Sequence, residues 1–231
     1  MGFLDVDLRP FVLGQGERFA TPPGTLVEAL QRTLKGLDCP VRLHRLPVRR
    51  LVQALSAGEL DVAIGLAASD ERQRLMRFPV DAHGRPDERW AIAEIDIRLY
   101  ATAQRHPAVQ AKLSQNGPAA LRYGALRGSL YADALAAEGL RVELTPDFAK
   151  GWTMLHRGRF DVVLMPDVLA AGGGAVRAVG PTMFHLRFFA PVNPQFAAAN
   201  EAWVRHFWQR LCRQTRPYFK DRQTCPEGEP H

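Results

Sequence analysis

Two segments of the chain carry one pattern. ALSAGELDVAI, residues 54–64, and MLHRGRFDVVL, residues 154–164, place Leu, Gly, Asp and Val at the same offsets. Leu55, Gly58, Asp61 and Val62 stand against Leu155, Gly158, Asp161 and Val162. The physical reading is a helix stopped by glycine, which enters the left-handed region at no steric cost, then an Asp in the turn and a buried strand. Each copy follows a helix and strand of its own. Two lobes of similar plan are the simplest account.

The intervening sequence supports that plan. FLDVDLRPFVL reads as a first strand, and TLVEALQRTLKGL as a helix in which Thr25 and Glu28 form a capping box and Leu26, Leu30, Leu34 and Leu37 one apolar face. A strand over 41–46, a helix from about Pro47 with Leu51, Val52 and Leu55 inward, and the strand LDVAIGL follow. This alternation predicts an α/β fold with parallel strands. AEIDIRLYATA, residues 93–103, is a long strand leaving the first lobe. YGALRGSLYADALAAEGLRVEL supplies strand, glycine turn, helix and strand for the second. AAGGGAVRAVG reads as a loop by composition, FHLRFFAPV (184–192) as a returning strand, and 193–213 as a last helix with Trp203, Phe207 and Leu211 packed in the core. Lobe 1 is then 1–100 with 187–231, and lobe 2 is 101–186.

Composition sets limits on partners. At 231 residues, 46% hydrophobic and 23% charged, the chain has ample material for a core. No apolar run approaches the roughly 20 residues of a membrane span. MGFLDVDLRPF shows no secretory leader, an opening that equally suits a mature secreted chain restarted with an initiator Met. The formal charge of +6 suits an anionic ligand. Nucleic acid is not expected, because the densest basic stretch, RLHRLPVRR at 42–50, has no aromatic residue on which a base could stack. Cys39, Cys212 and Cys225 include no CxxC pair; Cys212 and Cys225 either clip the C-terminal tail in an oxidising compartment or are unrelated buried thiols. GQG at 14–16 lacks the spacing of a nucleotide fingerprint, and no cofactor or metal is implied.

GLAASDERQRLMRFP, residues 65–79, places Ser69 and Arg72 three positions apart where a strand opens into a loop. A guanidinium offers parallel N–H donors matched to a carboxylate, and crevices at strand C-termini are where open α/β sheets hold ligands. Arg72 could instead pair with Asp70, Glu71 or the acidic loop DERW. With GTLVEAL, GELDVAIG, RGSLYADAL and LHRGRFDVVLMPD, this stretch resembles the type II periplasmic solute-binding proteins of the polar amino acid class (extracellular solute-binding family 3) over nearly the whole chain. The resemblance implies two α/β lobes joined by two crossing strands that close on a small ligand. It implies that Ser69 and Arg72, with Ala67 before them, grip an α-carboxylate, and that Gly128 and Ser129, beside Arg127, close over the ligand at a helix N-terminus. Asp5 or Asp7 on the first strand falls near a further ligand position, or is simply an exposed strand Asp. Where such proteins place an Asp after the second-lobe strand to hold an amino group, this chain has Pro166, with Asp167 one residue on. Where they stack a ring, it has Val48, followed by Arg49 and Arg50. Both departures disfavour a standard α-amino acid and leave a carboxylate ligand open.

The expectation is a periplasmic, monomeric binding protein or sensor module for a small carboxylate-bearing solute, linked to ABC-type uptake, with a membrane permease or sensor as partner. An effector-sensing domain of a regulator and a dehydratase-like enzyme on the same scaffold are the alternatives. Neither a His-x-x-x-His pair nor a GxSxG elbow is present, so no catalytic residue is nominated.

Overall fold

The computed structural model describes residues 1–37, 40–170, 174–219 and 225–226. The first elements along the chain are β1 (Gly2–Leu4), a two-residue pair β2 (Gly14–Gln15) and β3 (Arg18–Phe19), α1 (Thr25–Leu34), β4 (His44–Leu46), α2 (Val48–Ser56), β5 (Ala63–Ile64), β6 (Leu66–Ala67) and α3 (Asp70–Leu75). The long β7 (Ala93–Thr102) leads to α4 (His106–Asn116), β8 (Arg122–Leu126), α5 (Leu130–Ala137), β9 (Arg141–Thr145), α6 (Phe148–His156), β10 (Val162–Pro166) and α7 (Asp167–Ala170). The chain returns through β11 (Val176–Phe189) and ends in α8 (Pro194–Ala199) and α9 (Glu201–Thr215). Two compact units result: Met1–Glu94 with Arg187–His231, and Ile95–Leu186.

Unit 1 is built on parallel strands in the order β4-β1-β5, with Phe3 opposite both Arg45 and Ile64. Its core draws on both ends of the chain. Phe3, Leu26, Leu30, Ile64, Trp90 and Ile92 pack with Val192, Val204, Phe207 and Leu211. The Trp203 ring stacks on Phe207 with centroids 5.1 Å apart, so the expected aromatic stripe is core packing. A second cluster joins Leu51, Leu55, Leu66, Phe78 and Phe189.

Unit 2 repeats the plan. Its parallel strands run in the order β9-β8-β10, again first strand in the middle and second and third on either side, with β7 antiparallel to β10. The repeated sequence folds as the same hydrogen-bonded stop in each unit. Gly58 N–H donates to Leu55 O (3.3 Å) and Glu59 N–H to Ala54 O (2.9 Å); Gly158 N–H donates to Leu155 O (2.9 Å) and Arg159 N–H to Met154 O (3.1 Å). Both glycines are left-handed, at φ 77° and 70°. A main-chain N–H reaching back past the helix end satisfies carbonyls the helix leaves open.

Five local expectations differ from the structure. β1 ends at Leu4, because Leu8 and Val12 exchange backbone hydrogen bonds across a tight turn at Pro10. Thr25 is not a cap: Gly24 holds that position at φ 107°, and its hydroxyl donates to Pro10 O. A Cβ at Gly24 would lie 2.5 Å from Phe11 O, so only glycine fits the approach. LDVAIGL is interrupted at Gly65 (φ 86°), which sends β5 to pair with β1 and β6 to pair with β11. β11 begins at Val176, inside the stretch whose glycines suggested a loop; strand pairing overrides composition there. The last helix is two, broken at Asn200, whose side chain donates to Phe196 O.

Candidate ligand-binding site

In unit 1 the segment after β6 forms the candidate grip. Ser69 is the N-cap of α3 and its Oγ accepts from the Arg72 N–H at 3.3 Å. A serine oxygen there satisfies one of the donors that a first turn leaves open. Arg72 is buried, 7% exposed, and its Nη1 donates to Ala67 O at 2.8 Å. The hydroxyl, the guanidinium and the Ala67 carbonyl are thus brought together by one helical turn at a strand end. In the acidic loop that follows, the carboxylates bond to other arginines as well. Asp87 accepts from Arg89 at 2.7 Å, and Glu88 pairs with Arg187 at 3.0 Å. Asp70 and Glu71 are exposed on α3.

Asp7 stands apart from that grip in its bonding. It is exposed, past the end of β1, and pairs with Arg9 at 3.4 Å. Val48 is the buried first residue of α2, while Arg49 and Arg50 are exposed and Arg50 pairs with Glu59 at 2.7 Å.

In unit 2 the matching turn lies between β8 and α5. Gly128 is left-handed at φ 77°, which lets the chain reverse into the helix. Ser129 is the N-cap: its Oγ accepts from the Ala132 N–H and donates to Leu126 O at 2.7 Å. Arg127 is exposed, with its N–H donating to Thr145 O. Behind the turn, the Tyr131 hydroxyl is enclosed with no well-formed hydrogen bond. Burial pushes that phenol up more than the adjacent Ser129 and Leu126 O pull it down. Pro166 is the last residue of β10, and Asp167 starts α7, half-buried. The acidic side chain therefore directly follows the strand, not one residue farther on as the sequence suggested, because Pro166 is still part of β10.

Sequence reasoning missed two buried charged groups. Arg45, 1% exposed, donates to Val6 O, Leu13 O and Arg18 O and lies over the Phe19 ring. Burial lowers its pKa, opposed by Asp5 and Asp7. It fixes the loop that carries Asp7 to β4. The signal was present: Val41, Leu43 and Arg45 alternate on one face of the strand segment. Asp161 is the other. It was read only as a turn residue, yet it accepts from Arg105 (3.1 Å), Arg122 (3.2 Å) and Lys112 (3.4 Å). These partners come from α4 and β8, which no local spacing reveals.

The unit 2 turn follows the parallel strand β8, whereas the unit 1 turn follows β6, which pairs antiparallel with β11, and this topology can be matched to solved structures. A histidine kinase sensor domain with similarity to periplasmic binding proteins aligns at TM-score 0.71 and 19% identity, covering 94% of this chain and 90% of that one. The amino acid ABC transporter substrate-binding protein AbpA of Streptococcus pneumoniae, bound to L-arginine, aligns at 0.69 and 15%, covering 96% and 95%. The GluR0 ligand-binding core of Nostoc punctiforme, in complex with L-glutamate, aligns at 0.65 and 16%, covering 93% and 98%. The fold is that of the type II periplasmic binding proteins. The sequence matches no protein-family model and no curated protein. The type II resemblance read from GELDVAIG and SDER therefore holds at the level of the fold. Among the described residues, no helix is long and apolar enough to cross a membrane, and no group of three side chains could hold a metal ion.

Proposed function

We propose that the protein is a binding or sensor module for a small carboxylate-bearing solute, and that it works as a binder and not as an enzyme. The observation that carries this reading is Arg72, a buried guanidinium aimed by Ala67 O at a strand C-terminus beside the Ser69 cap. The carboxylate would take donors from Arg72 and Ser69. In unit 2 the α5 N-terminus, with Gly128 and Ser129, would offer main-chain N–H groups and a positive dipole end to an anionic group. Val48 stands where a stacking ring was sought, which supports an organic acid over a standard α-amino acid.

Sensing has its own support in the likeness to a histidine kinase sensor domain, and uptake in the likeness to a transporter's substrate-binding protein. A periplasmic location is supported by the bridge between Cys212 and Cys225, the pairing expected of an oxidising compartment. Cys39, expected as the remaining thiol, lies outside the described residues.

Calorimetry against amino acids and organic acids tests the reading. An organic acid should bind the wild type. Arg72→Lys should weaken it by roughly thirty-fold or more, since a lone ammonium cannot reproduce the two-pronged hydrogen bond and a charged bond is worth about 2–3 kcal/mol. Unchanged affinity in the variant would remove Arg72 from the site.

A further inference from the structure

The end of unit 2 opposite its candidate turn is strongly basic. β8, β9 and β10 are parallel, so their N-termini lie together, with Arg122 level with Arg141 and one residue before the Tyr123–Val162 pair. Asp161, 6% exposed, sits at this edge and gathers Arg105 from the start of α4, Lys112 from its middle and Arg122 from β8. Arg122 also donates to Gly158 O, which ties in the turn carrying the exposed Arg157 and Arg159. Arg141 reaches Ala119 O. Six cations thus share one rim with Asp161, Glu143 and Glu138, and Glu143 is paired with Arg159.

We propose that this rim docks unit 2 onto an anionic phospholipid surface. The cations are spread over three strand ends, a turn and a helix, so they make a broad field and not a pocket for one small anion. Protein interfaces surround an apolar or aromatic centre with polar groups. Among the described residues, the large exposed apolar side chains Leu75, Met183 and Tyr218 lie on other elements, and Leu144 of β9 is the one next to a rim residue. A headgroup layer demands no such centre, and each basic residue near it adds roughly 1 kcal/mol. Asp161 holds three of the cations in place, which lowers the conformational entropy lost on docking. Docking by this end leaves the strand C-termini of unit 2, with Gly128 and Ser129, turned away from the lipid.

The experiment is cosedimentation of the whole chain with vesicles of phosphatidylcholine alone or mixed equally with phosphatidylglycerol. The wild type should bind the mixed vesicles, release as salt rises, and ignore phosphatidylcholine. The triple variant Arg141→Glu, Arg157→Glu, Arg159→Glu should lose about a hundredfold in vesicle affinity. A milder pair, Arg157→Gln with Arg159→Gln, guards against misfolding and should lose about thirtyfold. Three exposed arginines of unit 1, Arg18, Arg49 and Arg213, changed to Glu give the same net charge and should leave binding nearly intact. The proposal is overturned if the wild type does not sediment with the mixed vesicles, or if this control loses as much as the rim variant. Solute binding is read separately on the same proteins, and failure of one leaves the other standing.

Discussion

Arg72, Arg45 and Asp161 are all buried charges, and each is settled differently. Arg72 leans on a carbonyl at a strand end, Arg45 is consumed by three carbonyls and an aromatic face, and Asp161 is surrounded by cations. Burial raises the Asp161 carboxyl, but the bonds and charge of Arg122 outweigh it and leave the pKa below the ordinary value. A depressed carboxylate contributes stability that is fully present above its unfolded pKa and is lost as pH falls through the folded one. Asp161→Asn should therefore lower stability by roughly 2 kcal/mol at neutral pH. Its deficit against the wild type should shrink below about pH 4, where the unfolded carboxyl begins to take up its proton. Urea unfolding at several pH values reads this directly; a deficit independent of pH would mean that packing and not charge is at stake. The sequence placed Ser69 and Arg72 side by side because a hydroxyl and a guanidinium at fixed spacing are local features, while the cap that Ser69 forms came only with the fold. It hid the fate of Arg45 because a charged residue on an apolar face looks like a break in the pattern until the carbonyls that satisfy it are known.

At the scale of elements, the most informative signal was the repeated Leu–Gly–Asp–Val register, since both copies fold into the same stop and feed the same third strand. Elements whose limits depend on non-local pairing were less legible. β11 runs through Gly180 and Pro181, and a glycine cluster just before it gave no hint of a strand. The break at Asn200 was equally hidden, since the apolar spacing continues across it. The two stops differ in one testable respect. A Cβ on Gly58 would meet nothing closer than 3.7 Å, whereas one on Gly158 would lie 3.3 Å from the Arg105 guanidinium. Backbone handedness alone should make Gly58→Ala cost about 1 kcal/mol. Gly158→Ala should cost more, because the crowding Arg105 guanidinium is held by Asp161. A larger fall in the denaturation midpoint at Gly158 would bear this out; matched midpoints would show that Asp161 does not fix Arg105.

For the molecule as a whole, three of four tyrosines lie in unit 2, and Tyr100, Tyr123 and Tyr131 are all buried with phenols raised chiefly by burial. A raised phenol favours the folded state below its unfolded pKa, so this contribution is complete below about pH 10 and is lost as the pH climbs. Ultraviolet titration should find these tyrosines ionising late and together with unfolding of unit 2; three independent ordinary titrations would contradict the burial. Chain order matters as well. Unit 2 is one unbroken stretch, 95–186, set inside unit 1, whose core needs Val204, Phe207 and Leu211 from the far end. As the chain emerges N-terminus first into the compartment where it folds, the later unit can therefore finish first, while Leu26, Leu30 and Phe3 wait for the last helix to arrive. Fragment 95–186 expressed alone should unfold cooperatively, and fragment 1–94 should remain without a fixed core until residues 187–231 are supplied in trans. The first unit to be translated is the last to be built, and until then its apolar face needs a chaperone or speed.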